Sequence, residues 1–336
     1  MRPQRLVLGC FTLCVASIIV ACGGSKSGPA GPETPRVLQG QTVSAIDGSA
    51  SGVVSVQIGS RLPVQTDTSG NFQVDVGAPG TYSAVVTGSS FVERRTMVTG
   101  PSTERARLGI IPASYDLKAF NEMFRGANSR LQRWTTQPSL VIVASVMKYA
   151  NNAEQFSATA EQLTDDEVAS LTSDLKNALS LLTAGTFTTF GSVDVERPAS
   201  GDQVGVRRTG KIVIGRYTGI TTLANTIGYG SWAEQGDGTV VGGSVWLDRD
   251  FDKGDPRRWL LRTHELGHAL GYNHVTVRTS IMNPAIGPEP NDFDRAGAAI
   301  AFQRPVGNVS PDTDPSAAPR TFSISEGGAR WRAPIE

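Results

Sequence analysis

Cysteine and histidine are both scarce in this 336-residue chain, with three of each. The cysteines, Cys10, Cys14 and Cys22, all fall at the N-terminus, so a chain cut before Cys22 keeps no pair with which to close an internal disulfide. Excess charge is missing too. Thirty-one basic residues balance 31 acidic ones, which gives no electrostatic reason to expect a nucleic acid as partner. Charged residues are only 18% of the total, while Gly 37 and Pro 19 demand many turns. That balance speaks against a helical bundle and for a β-rich or mixed fold of more than one domain. The one long apolar run, Leu6 to Val20, is too short to span a bilayer comfortably.

That run follows Arg2 and Arg5 and so reads as a targeting leader. It ends in Ile19-Val20-Ala21-Cys22, which resembles the bacterial lipobox. The resemblance implies a signal peptide at 1–21 and a lipidated Cys22 as membrane anchor. It also implies a place in the cell envelope, facing the periplasm or the exterior. An ordinary secretory cleavage near Ala21 and an uncleaved anchor are the alternatives. Gly23 to Gly28 favours the lipoprotein, because small residues make a flexible tether, and 22–36 reads as linker.

The three histidines do not scatter. They fall in His264-Glu265-Leu266-Gly267-His268-Ala269-Leu270-Gly271-Tyr272-Asn273-His274, an H-E-x-x-H-x-x-G-x-x-H pattern. Positions four apart share a helix face, so His264 and His268 aim at one point. Glu265 flanks them. Gly271, free of a Cβ, can take the left-handed turn that ends the helix and returns His274 as a third ligand. Three imidazoles and an open position make a catalytic rather than a structural Zn²⁺ site. Glu265 is the candidate general base. A bare H-E-x-x-H arises by chance on amphipathic helices; the eleven-residue form that uses every histidine is much harder to attribute to chance.

The segment resembles the metzincin metalloproteases, which add a methionine turn shortly after the third histidine. Ser280-Ile281-Met282-Asn283-Pro284 fits that place, with Met282 as an apolar floor under the ligands. Pro284 two residues after the methionine is similar to the matrixin group. The resemblance implies that Pro284, Ala285 and Ile286 wall the primed-side pocket. It also implies that the strand before the last one, placed at Tyr229 to Ala233, is the edge on which a peptide substrate adds. No cysteine follows Cys22, so the matrixin cysteine switch is absent.

The expected architecture is therefore multidomain. From 37 to 104, short alternating strands at Val53–Ile58, Asn71–Val76 and Thr81–Val86 are separated by the turns Asp67–Gly70 and Ala78–Gly80. They make a small all-β sandwich, and Thr66–Phe72 followed by Pro79–Tyr82 resembles the carboxypeptidase regulatory-like, transthyretin-type module. From 105 to 305 an α+β zincin domain is expected, with a mixed twisted sheet around a central zinc helix. Ala106–Ile111 is its first strand, Asp116–Trp134 a helix, and Thr164-Asp165-Asp166-Glu167 a capping box that opens a helix to Leu182. Lys211–Gly215 and Thr239–Asp248 are further strands. Trp259, Leu260, Leu266 and Leu270 would bury the zinc helix, and Asn291-Asp292 opens the last helix. The acidic run Asp248–Asp252 is where Ca²⁺ would be sought. It lacks the glycine and final glutamate of an EF-hand and reads better as solvated loop charge. The polar stretch 306–336 reads as a disordered tail.

The functional expectation is a monomeric zinc endopeptidase acting on polypeptide and tethered to a membrane through Cys22. The competing class is a surface adhesion protein with a residual zinc site, against which the intact Glu265 argues. A metal-dependent amidase acting on cell-wall peptide is a third.

Overall fold

Strands whose residues alternate inward and outward build the first layer. They are β1 (Val37–Ser44), β2 (Ser55–Ile58), β3 (Val64–Gln65), β4 (Asn71–Asp75), β5 (Gly80–Thr87), β6 (Arg94–Gly100) and β7 (Ala106–Ile110). Two sheets result, ordered β4-β1-β7 and β3-β2-β5-β6. Leu38, Phe72 and Val74 from one and Val56, Ile58 and Val86 from the other share a single buried core. The turn at Asp67 closes through its carboxylate, which accepts from the N–H of Ser69 at 2.9 Å and of Asn71 at 2.8 Å. Gly70 supplies the positive φ of 80°.

The computed structural model describes residues 36–102, 104–149, 155–218, 226–316 and 330–332. The expected leader at 1–21, Cys22 and the expected linker lie outside the described residues. Arg36–Glu336 is one compact unit. Among the described residues no helix is long and apolar enough to cross a membrane.

Among the described residues the second layer is a nine-stranded mixed sheet flanked by helices, so the molecule is α+β with several sheets. Its members are β8 (Arg133–Trp134), β9 (Ser139–Tyr149), β10 (Gln155–Gln162), β11 (Val193–Glu196), β12 (Gln203–Gly205), β13 (Lys211–Thr218), β14 (Gly228–Glu234), β15 (Thr239–Asp248) and β16 (Arg330–Arg332). The path is β12-β10-β9-β13-β15-β14-β16, with β11 against β9 and β8 against β15. β9, β13 and β15 run parallel, and β14 turns back antiparallel to β15. β9 and β13 are continuous apolar runs because both of their faces are covered. Leu140, Ile142 and Ile214 point into the core that holds the helices, while Val141, Val143 and Val213 pack with Trp246 and Phe156 on the other side.

Among the described residues five α-helices complete the unit: α1 (Leu117–Arg125), α2 (Asp165–Leu182), α3 (Arg249–Gly254), α4 (Arg258–Ala269) and α5 (Asp292–Phe302). The capping box at α2 forms as read: Thr164 N–H donates to Glu167 at 2.8 Å, and Glu167 N–H donates to Thr164 Oγ1 at 3.2 Å. A second box, Asn291 with Asp294, opens α5.

Several expectations need correcting. β7 does not begin the large sheet. It pairs in parallel with β1, from Gly40 opposite Ala106 to Ser44 opposite Ile110, because Leu108 and Ile110 complete the small core. A strand's own pattern shows that one face is buried, not which sheet buries it. α1 stops at Arg125, well before Trp134, because Gly126 turns at φ 46° and lies against the Asn273 side chain, 2.7 Å from where its Cβ would stand. Trp259 is 38% exposed and does not help bury α4.

The stretch after α5 is not a loose tail at its start. Asn308 and Asp312 are fully buried. Asp312 accepts from Arg94 at 2.9 Å and from Arg304 at 2.8 Å, while Asp314 accepts from Arg94 at 2.7 Å and Thr96 at 2.6 Å. Burial pushes the Asp312 carboxyl up, but Arg304 and Arg94 outweigh it and hold the group below its ordinary value. The polar composition of 306–316 looked like solvation because two of its partners, Arg94 and Thr96, lie some two hundred residues away. Residues 317–329 and 333–336 lie outside the described residues.

Candidate metal centre

α4 carries the motif through the middle of the second layer, and every residue from Leu260 to Ala269 is buried. A helix this enclosed must satisfy its charges internally. Arg262, 1% exposed, donates to Asp252 at 2.6 and 3.0 Å and to Asp174 at 2.7 Å; Asp252 also accepts from Arg216 at 2.6 Å. Asp252 is thus a fully buried hub rather than solvated loop charge. Asp248 caps α3 by accepting from Phe251 N–H at 2.9 Å. Both ends of the acidic run have structural work, which leaves the calcium expectation without support. At the other end of α4, the indole N–H of Trp134 donates to the Ala269 carbonyl at 3.0 Å.

The helix ends as its glycine requires. Gly271 takes φ 100°, and the N–H of Tyr272 donates back to the Gly267 carbonyl at 3.0 Å. That reversal returns His274 to the helix face. The Nε2 atom of His268 then lies 3.0 Å from that of His264 and 3.2 Å from that of His274. Ligands about 2.0–2.1 Å from a tetrahedral zinc stand roughly 3.3 Å apart, so the three nitrogens fit a single ion of that size. Among the described residues they are the one group of His, Cys, Asp or Glu ligand atoms that converges in this way.

The other ring nitrogens set the aim. His264 Nδ1 meets the Ile281 carbonyl at 2.7 Å, and His268 Nδ1 meets the Tyr272 carbonyl at 2.7 Å. A carbonyl only accepts, so each Nδ1 carries the proton and each Nε2 presents its lone pair to the centre. Burial lowers the His264 imidazole to about 4, against a smaller upward pull from Ile281. Burial also drives His268 well below its ordinary value, helped by the neighbouring His264 and His274. Neutral imidazoles are the ligating form.

The methionine turn lies beneath. Met282 is fully buried, and a Cβ on Gly267 would stand 2.5 Å from its sulfur. The turn is tied on every side. Val275 N–H donates to the Met282 carbonyl at 2.8 Å, and Asn283 Nδ2 donates to the Val275 carbonyl at 2.6 Å. Asp294, 1% exposed on α5, accepts from Ser280 Oγ at 2.5 Å and from Ile281 N–H at 3.1 Å.

Glu265 is 4% exposed, next to the ligands and at the wall formed by β14. A Cβ on Gly228 would fall 2.4 Å from its Oε1, and one on Gly230 would fall 2.5 Å from the His268 Cβ. Only glycine lets the strand lie so close to the helix. In front is a cleft of about 450 Å³ lined by the three histidines, Glu265 and the Gly228–Gly230 strand. Ile227, Leu261 and Ile286 make part of its wall apolar, and Pro284 and Ala285 also line it. Tyr229 reaches the cleft, although its ring packs on the opposite core beside Trp246. Ala233 does not line it; it sits buried at the far end of β14.

Sequence reasoning passed over Gly228, Gly230, Tyr272 and the role of Asp294. The Gly-x-Gly inside a strand pattern was the one signal available for any of them. No family model and no curated protein matches this chain, so the chemistry of the site carries the functional argument alone.

Proposed function

We propose that the chain is a zinc-dependent endopeptidase, metzincin in plan and matrixin-like in its Met-x-Pro turn. The transthyretin-type sandwich would precede the catalytic part, and lipidated Cys22 would tether both to the bacterial envelope. The observation that carries the reading is the convergence of His264, His268 and His274, with Glu265 beside them on a cleft bounded by a strand. A zinc ion held there supplies Lewis acidity at a scissile carbonyl and makes water a better nucleophile at neutral pH.

The remaining work falls to the chain. Glu265 accepts a proton from the attacking water and returns it to the leaving amine. Its buried position at the β14 wall keeps bulk water from competing for that proton. β14 supplies main-chain hydrogen bonds to an extended peptide and so sets its direction past Glu265. Ile227, Leu261 and Ile286 favour an apolar side chain in the adjoining pocket.

The test is Glu265→Ala in the zinc-loaded chain, assayed on a quenched peptide library. Hydrolysis should fall by about 10²–10⁴-fold while zinc content stays stoichiometric. Undiminished cleavage would remove Glu265, and with it this mechanism.

A further inference from the structure

β14 has β15 along one side, and on its other side β16 takes up part of the edge. The pairing is antiparallel: Arg330 stands opposite Glu234, Trp331 opposite Ala233 and Arg332 opposite Trp232. Among the described residues β16 reaches Trp232, two positions from Gly230, where a Cβ would touch His268. Its polarity carries the chain from the far end of β14 toward the metal centre.

An extended peptide adding antiparallel to β14 runs the same way. Its residues before the scissile bond lie toward Glu234, and those after it lie toward Gly228. Trp232–Glu234 is then the stretch that a substrate with a long N-terminal side needs, and β16 is already paired with it. Both cannot hold one row of backbone groups.

Resting on the endopeptidase reading, we propose that β16 is a specificity-determining strand. It occupies the distal half of the substrate edge and favours peptides with few residues before the scissile bond. Longer substrates must displace it. The occupant is this chain's own C-terminal segment, so the competition is intramolecular and independent of protein concentration.

The test uses the full zinc-loaded chain and its Arg332→Pro variant, in which the strand N–H that faces Trp232 is lost and the three-residue ladder breaks. Two quenched peptides share their residues after the scissile bond; one carries about six residues before it and the other about two, the longer reaching Glu234 at roughly 3.3 Å per residue. The variant should lower KM for the longer peptide by about tenfold and leave the shorter unchanged. A combined Arg330→Gly, Trp331→Gly, Arg332→Gly chain should do the same, and covers the case in which the proline variant does not fold. An unchanged ratio of kcat/KM between the two peptides overturns the proposal. If no chain cuts either peptide, the endopeptidase reading has failed, and the strand is judged by binding. A synthetic peptide of residues 326–336 should then bind the variants at least about tenfold more tightly than the parent chain. Equal binding, or none, overturns it.

Discussion

His264 Nδ1 donates to the carbonyl oxygen of Ile281 at 2.7 Å across 17 residues of chain. The N–H of that same Ile281 is held by Asp294 at 3.1 Å. One peptide segment thus links the His264 imidazole of the three-histidine cluster to a carboxylate on a different helix. The aim of His264 depends on α5 as much as on α4.

Asp294→Ala removes the acceptor for Ser280, Ile281 and Asn291 together. Zinc affinity measured by competition with a chelator should weaken by roughly 10–100-fold, and Asp294→Asn should restore part of it. Unaltered affinity in the alanine variant would show that the turn holds its shape without α5.

Gly230→Ala places a methyl group 2.5 Å from the His268 Cβ and 2.6 Å from the Glu265 carbonyl oxygen. The strand or the helix must shift, and a displacement near 1 Å is enough to lower kcat by about 10²-fold. Gly236→Ala is the control, since nothing lies within 4 Å of its Cβ position. Equal activity of the two variants would count against close strand–helix contact as a requirement.

Asp312→Ala leaves Arg94 and Arg304 buried without their shared carboxylate. Breaking such a cluster costs about 3–5 kcal/mol, read as a lower urea midpoint with an unchanged slope. A loss below about 0.5 kcal/mol, the range of ordinary surface changes, would mean that the segment after α5 adds little to the fold.

Glu167 links the α2 cap to the hub behind α4 through Arg216 at 2.5 Å. Burial pushes its carboxyl up, but the Thr164 N–H and Arg216 prevail and bring it from 4.5 to about 2. A carboxyl lowered in the folded state contributes stability above pH 4.5 that is lost as pH falls through about 2. In Glu167→Gln the urea midpoint should therefore fall less steeply across that window than in the parent chain. Parallel curves would contradict the assignment.

How much of this was legible depends on range along the chain. The three-histidine cluster, the place of Glu265 beside it, the helix stop at Gly271 and the cap at Thr164 are all decided by neighbours within about three helical turns. Spacing alone therefore revealed them. Asp252 misled because an acidic run looks the same in sequence whether water or two arginines surround its carboxylates. Trp259 misled because helical periodicity finds a face without saying what covers it. The Ala106–Ile110 strand was legible as a strand, but its partner β1 was not.

By itself the sequence determined the chemistry: which atoms could ligate, which carboxylate stood beside them, and where the helix had to end. Only the tertiary structure decided how the H-E-x-x-H-x-x-G-x-x-H stretch is held. It brought Asp294 under the methionine turn, laid Gly228 and Gly230 against Glu265 and His268, and set β16 on the edge of β14. Those contacts join residues tens to hundreds of positions apart. They form because burying a charged or polar group is affordable only with a partner, and a local pattern does not name one.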